Sequence, residues 1–209
     1  MKHLPSLLLL TAFACSVQGA PAVSPSHADV TTWQAFNRQA THHVDHVHLN
    51  AKENDGVLWL RDFQFANGTI EFEVKGEDAR GRSFVGVAFH GRNHETFDGV
   101  YFRPFNFRSP NRNAHSIQYI SMPQHEWSTL RNNHPGRYEN PLEPAPVPDD
   151  WIHVRIVVDH PAVTVFVNGA DTAALQVDQL SDQGEGRVGF WVGNGSQGWF
   201  RHLKLIPAD

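Results

Sequence analysis

The chain has 209 residues, 17 basic against 22 acidic, and a formal net charge of -5. That length suits one ordinary domain, and the acidic balance argues against a nucleic-acid binder, which would carry a basic excess. Its single cysteine, Cys15, excludes an intramolecular disulfide and any cysteine-built metal or redox site.

Met1 to Gly19 begins with Lys2 and His3, continues with the apolar run from Leu7 to Ala14, and ends in small residues. The run is too short to span a bilayer, so it reads as an export signal cleaved after Gly19. Lipid anchoring at Cys15 is the lesser alternative, because Phe13 stands where such signals want a small residue. Residues 20–30 mix Pro, Ser and Ala without periodicity and read as an exposed linker, leaving residues 31–209 as the domain.

His42, His43, His46 and His48 crowd into THHVDHVHLN. His46 and His48 would share a strand face, but Asp45 would point away, so no metal ligand set is expected here. From Gly68 to Gly76, Ile70, Phe72 and Val74 alternate with Glu71, Glu73 and Lys75, the mark of a half-buried strand. Its two glutamates lie about 6.6 Å apart at the strand rise, compatible with an acid/base pair, although a charged outer face explains them as well.

Ser83 to His90, Asp98 to Phe105 and His115 to Met122 alternate in the same way. Trp151 to Asp159 with Val163 to Asn168 suggests a hairpin, and Val188 to Val192 with Trp199 to Ile206 suggests another. Turns are expected at Asn67-Gly68, Asn168-Gly169 and Asn194-Gly195. Sixteen Gly, 13 Pro, 14 Phe and six Trp fit many short strands joined by turns, so the expected fold is all-β, an antiparallel sandwich of two sheets.

FANGTIEFEVKG (Phe65 to Gly76), DDWIHVRIVVDHPAVTVFVNG (Asp149 to Gly169) and GRVGFWVGNGSQGWFRHLKLIP (Gly186 to Pro207) together resemble concanavalin A-like lectin/glucanase jelly rolls, in the laminin-G-like and 3-keto-disaccharide hydrolase-type branch. The resemblance implies a jelly roll over most of residues 45–207 and a carbohydrate ligand. The three-acid strand of jelly-roll glucanases is incomplete here, since Val74 and Lys75 follow Glu71 and Glu73.

Residues 122–151 show neither alternation nor helical period, and a long irregular stretch in a compact domain is often functional. From His90 to Tyr138 there are six arginines, no lysine, and only Glu95, Asp98 and Glu126 as acids. Guanidinium forks and aromatic faces suit a sugar, and the arginine excess suggests an anionic one such as a uronate. Tyr101, Arg108, Gln118, Trp127, Arg131, Arg137 and Tyr138 are the expected sugar contacts, in a groove covered by the 122–150 segment. Tyr101, Arg103, Ser116 and Gln118 would share a concave face if their strands are neighbours.

By type alone, His115, Gln118, Tyr119 and Arg103 resemble the set that jelly-roll polysaccharide lyases use. The 3-keto-glycoside branch implies instead a base (His90, Asp98 or His125) and an electrophile, Arg103 or a divalent cation. The expected catalytic residues are therefore His90, Asp98, Arg103, His115 and His125, with no cofactor and no protein metal site. The favoured function is cleavage of a glycosidic bond by an exported protein. A lectin-like binder and a uronate lyase are the alternatives.

Overall fold

A computed structural model describes residues 21–208, so the export signal and Cys15 lie outside the described residues. The strands are β1 Trp33–Phe36, β2 Ala40–His42, β3 Val47–Leu49, β4 Gly56–Leu60, β5 Gly68–Lys75, β6 Val85–Gly91 and β7 Phe97–Phe102. They continue as β8 Ile117–Met122, β9 Glu139–Asn140, β10 Ile152–Asp159, β11 Ala162–Val167, β12 Leu175–Asp178, β13 Arg187–Val192 and β14 Gly198–Pro207. All pairings between named strands are antiparallel. One sheet runs β1-β4-β13-β6-β7-β8-β9 and the other β12-β11-β10-β5-β14-β3-β2, so the fold is the expected two-sheet β-sandwich.

Alternation explains the interior. Ile70, Phe72 and Val74 of β5 are fully buried, as are Val154 and Ile156 of β10. At the centre, Phe190 of β13 stacks on Phe200 of β14 at 4.6 Å and tilts against Phe72 at 6.2 Å. The outer face of this second sheet is charged. Glu71 lies across from Arg155 and Lys204, and Glu73 accepts from Arg201 Nε at 2.7 Å. These glutamates thus have cationic cross-strand partners, the stabilising arrangement for an exposed face.

Three expectations need correction. Residues 188–192 and 199–206 are not a hairpin, because β13 and β14 belong to opposite sheets. Their alternation is compatible with either pairing, and only the packing decides. The 122–151 segment contains a helix, α1 Trp127–Asn133, two turns long and too short to show a period. The stretch read as a linker docks at two points: Val23 bridges Leu205, and the buried His27 accepts the His202 N–H at 2.7 Å. The register of β14 slips between Arg201 and Lys204, and His202 has φ 55°, so this bulge frees an N–H that the His27 ring takes up.

Candidate functional site

The outer face of the first sheet is a groove. Its floor comes from two cross-strand rows, Trp191-Gly86-Tyr101-Gln118 and Trp59-Gly189-Ala88-Gly99-Ile120. Gly189, Ala88 and Gly99 make the second row low, and Val57 packs over Gly189 and Ile120 over Gly99. Above this face lie three hollows that share Asn194.

The middle hollow, about 250 Å³, is lined by Phe84, Tyr101, Trp127, Trp191 and two carboxylic acids, Asp55 and Glu126. The Trp191 indole Nε1 is buried and has no acceptor among the described residues. Asp55 sits on the turn before β4, which a buried arginine clamps. Arg38 donates to Asn54 O at 2.6 Å and Gly193 O at 3.0 Å, while Asn37 Nδ2 donates to Asp55 O at 2.8 Å. Burial pushes the Asp55 carboxyl above its ordinary range. The Arg38 charge and a bond from the Asn194 backbone oppose this, and the nearby Glu126 adds to it.

At one end an aromatic-walled hollow of about 400 Å³ gathers Arg80, Arg103, Arg112, His115, Trp127 and Arg131. Arg103 is almost wholly buried. It donates to Tyr101 Oη, to Gln118 Oε1 at 2.6 Å and to His115 O at 3.2 Å, and its guanidinium lies 4.8 Å from the Tyr101 ring centre. Burial pushes the Tyr101 hydroxyl up to about 12, so it stays a donor. Arg131 grips Glu139 through Nε at 3.0 Å and a terminal nitrogen at 2.7 Å. His115 Nδ1 lies 2.8 Å from the same carboxylate, too bent for an ordinary hydrogen bond. Burial alone would raise the Glu139 carboxyl, but the bonds and charge of Arg131, with His115 adding, hold it below its usual range. The indole of Trp127, 48% exposed, is flanked by Arg131 at 5.0 Å and Arg103 at 6.0 Å. At the other end, Phe36 and His94 stack at 3.9 Å beside Asn37, Asn54 and Glu95.

The residues expected from sequence divide accordingly. Tyr101, Arg103, His115, Gln118, Trp127 and Arg131 converge at the groove, because β7 and β8 are neighbours with Tyr101 opposite Gln118. Ser116 turns away and bonds Asn113 O. His90 and Asp98 do not reach the groove. Both are fully buried between the sheets, where Asp98 accepts from Tyr119 Oη at 2.6 Å, Gln179 Nε2 at 3.0 Å and Ser181 Oγ at 2.5 Å. His90 has φ 51° at a bulge that turns it inward, and there Nε2 donates to Ala66 O at 2.8 Å while Nδ1 accepts from Gln179 at 2.9 Å. Burial pushes its pKa down, so this ring is held neutral and closed off. Tyr119 serves that interior cluster too.

Arg108 pins a loop by donating to Pro146 O at 3.0 Å. Tyr138 packs in the core against Tyr119 at 5.9 Å, with Arg137 5.7 Å from its ring. His125 is held through its backbone to Ser121 and lines none of the three hollows. The 122–150 segment walls the groove with Met122, Pro123, Glu126, Trp127 and Arg131 rather than roofing it; Pro141 to Pro144 line a separate hollow with Val167 and Ala174. Sequence reasoning missed Asp55, Phe84, Trp191 and Asn194. Trp191 alternates out of the core strand β13 and was legible in principle, whereas Asp55 carried no signal beyond a turn.

Among the described residues no three His, Cys, Asp or Glu side chains converge on a point that could hold a metal ion, the histidine-rich stretch at 42–48 included. Nor is any helix among them long and apolar enough to cross a membrane.

A two-sheet sandwich with an aromatic groove on one face is a jelly roll of the carbohydrate-related kind. The chain belongs to the 3-keto-alpha-glucoside-1,2-lyase-like domain family, whose profile matches residues 26–206. No curated protein matches its sequence. Among solved structures it is similar to the carbohydrate binding module CBM66 from Bacillus subtilis, at 12% identity and TM-score 0.63, covering 87% of this chain and 99% of that one. A protein from Parabacteroides distasonis provisionally assigned as a glycosyl hydrolase is similar at 11% identity and TM-score 0.61, covering 88% and 99%. The exoplasmic/lumenal domain of VIP36, in a form bound to Ca2+ and Man3GlcNAc, is similar at 13% identity and TM-score 0.57, covering 88% and 87%. Identities this low speak for the fold, and function has to be argued from the site.

Proposed function

We propose that the protein binds a saccharide along this groove and cleaves a glycosidic bond in it, with a 3-keto-glycoside as the substrate class. The observation that carries the reading is the pairing of Asp55, a carboxyl biased toward its protonated form, with the exposed Glu126 in one aromatic-walled hollow. A carboxyl biased toward its acid form beside an exposed one gives the asymmetry that acid and base roles require.

In a 3-keto-sugar the ketone acidifies the neighbouring C2–H. Glu126 takes that proton, charge moves to the C3 oxygen, and the C1–O bond breaks as Asp55 protonates the departing oxygen. Water then adds across the new double bond, so the net change is hydrolysis. Tyr101, kept protonated and braced by Arg103, is a donor for the developing charge on the C3 oxygen. The unpaired Trp191 Nε1 is a donor for a sugar hydroxyl. Export is part of the proposal and rests on the signal-like Met1 to Gly19.

The test is mass spectrometry of reactions with 3-keto disaccharides, with and without divalent cations. Free sugar at the mass of water addition is expected, together with loss of turnover but retained binding in Asp55→Asn. No product from any 3-keto substrate, with binding intact, would leave the lectin-like reading. That reading is favoured by the exposed Trp127 indole, a stacking surface already braced by two guanidiniums.

A further inference from the structure

We infer that the arginine-lined end of the groove is a subsite for an anionic substituent of the saccharide, a carboxylate or a sulfate, which sets the direction in which the chain lies. This rests on the reading of the groove as a saccharide site. Arg80, Arg103, Arg112 and Arg131 surround the 400 Å³ hollow, and the carboxylate set against them is Glu139. Four cations against one anion leave a formal surplus of three, before any charge on His115. The surplus is local, since the chain as a whole carries -5.

These guanidiniums differ in how far they are committed. Arg131 spends its fork on Glu139, and Arg103 spends its terminal nitrogens on Tyr101, Gln118 and the His115 carbonyl. Arg112 uses only Nε, which donates to Asn106 Oδ1 at 3.2 Å, and Arg80 has no ion-pair or hydrogen-bond partner among the described residues. Two forks therefore remain for a ligand. Burial, and then the charge of Arg131, make Arg103 less willing to stay protonated; the Tyr101 contact and Glu139 oppose this. An anion in the hollow would relieve that repulsion.

A neutral sugar gains nothing from the surplus, because stacking on Trp127 and Phe105 needs no net charge. A planar carboxylate or a sulfate matches the fork of a guanidinium with paired, charge-assisted bonds. The middle hollow carries the opposite character through Asp55 and Glu126. An anionic group is drawn to one end and repelled from the other, so the charged residue lies beside the bond to be broken rather than at it.

Titration calorimetry with three β-1,4-linked glucose tetrasaccharides tests this: the neutral one, its C6-oxidised uronate form, and its 6-O-sulfate. The expected result is that at least one anionic form binds tenfold or more tightly than the neutral one. That advantage should shrink several-fold on raising the salt and vanish in the Arg80→Gln/Arg112→Gln double variant. Neutral binding and the thermal midpoint of that variant should stay as in the parent. Uronate preferred over sulfate, or the reverse, identifies the source of the charge. Equal binding of all three, or an advantage that survives in the double variant, overturns the anion subsite and leaves the saccharide groove standing. No binding by any of the three overturns both. Turnover does not enter the readout, so failure of the cleavage mechanism cannot be mistaken for failure of the subsite.

Discussion

Strands β6, β7 and β8 carry two polar clusters on their opposite faces, and these differ in how their hydrogen bonds close. On the inner face the donors of Tyr119, Gln179 and Ser181 all end on Asp98, and Gln179 links it to a neutral His90. On the outer face Arg103, Arg112, Arg131 and Arg80 outnumber the carboxylate set against them, Glu139, and Trp191 keeps an unpaired donor. The first cluster is complete, as buried polar groups within a core must be. The second has donors to spare, in keeping with the saccharide site proposed for it. Residue type does not separate the two, since both contain histidines or carboxylates beside a tyrosine and an amide.

Several substitutions would break this contrast if it is drawn wrongly. Asp98→Ala strands three donors, each costing about 1–3 kcal/mol. A loss of at least about 3 kcal/mol is expected in urea unfolding, with saccharide affinity unchanged in the fraction that folds. Asp55→Asn should act the other way round: about a hundredfold or greater loss of turnover, in the range expected for a proton-transfer group, with an unchanged or slightly raised unfolding midpoint, because a buried acid has been made neutral.

The pH profile sharpens the comparison. His90 titrates below its ordinary 6.5 chiefly because it is buried, and His27 does so too, for burial first and then for the charge of His202. The unfolded chain therefore binds more protons, so their contribution is full above 6.5 and is lost as pH falls through the lower folded values. Glu139 is held below 4.5, so the groove cluster weakens only in stronger acid. Asp55 has the opposite sign. Its contribution is present below 3.8 and is lost as pH rises through its raised folded value, where turnover should fall with it. Unfolding midpoints of the parent and His90→Gln should draw together as pH falls below 6.5 if the acid-side loss belongs to the inner cluster. The smallest effect belongs to Arg137→Ala, an exposed side chain outside the groove: within about 0.5 kcal/mol and without change in sugar affinity.

Alternation made the half-buried strands legible, and the adjacency of β7 and β8 then assembled Tyr101, Gln118 and Arg103. It failed for β4, whose Gly56–Leu60 is buried throughout and has no wet face to mark it. It also misplaced His90 and Asp98, because a polar residue on a strand is read as facing water. Here a bulge and the segment after β12 enclose them between the sheets. Asp55 was invisible for another reason: its position depends on Arg38 reaching the Gly193 carbonyl, 155 residues along the chain. The arginine surplus was visible in composition, but only the fold shows which members are already spent. Arg108 and Arg131 are committed, whereas Arg80 and the terminal nitrogens of Arg112 are not.

The row Gly189-Ala88-Gly99 means that Val57 and Ile120 close directly onto main chain beneath the groove. A side chain added at Gly189 would press on Leu58 O at 2.7 Å, and one at Gly86 in the adjoining row would meet Val100 O. Depth is thus a fixed property of the sheet, and under the proposed saccharide reading selectivity would reside in the rim, on Phe36, Asp55, Phe84, Arg112 and Trp127. Redesign for a different sugar would then proceed by exchanging rim residues on loops, a helix and the end of β1, leaving the pairing of the two sheets untouched.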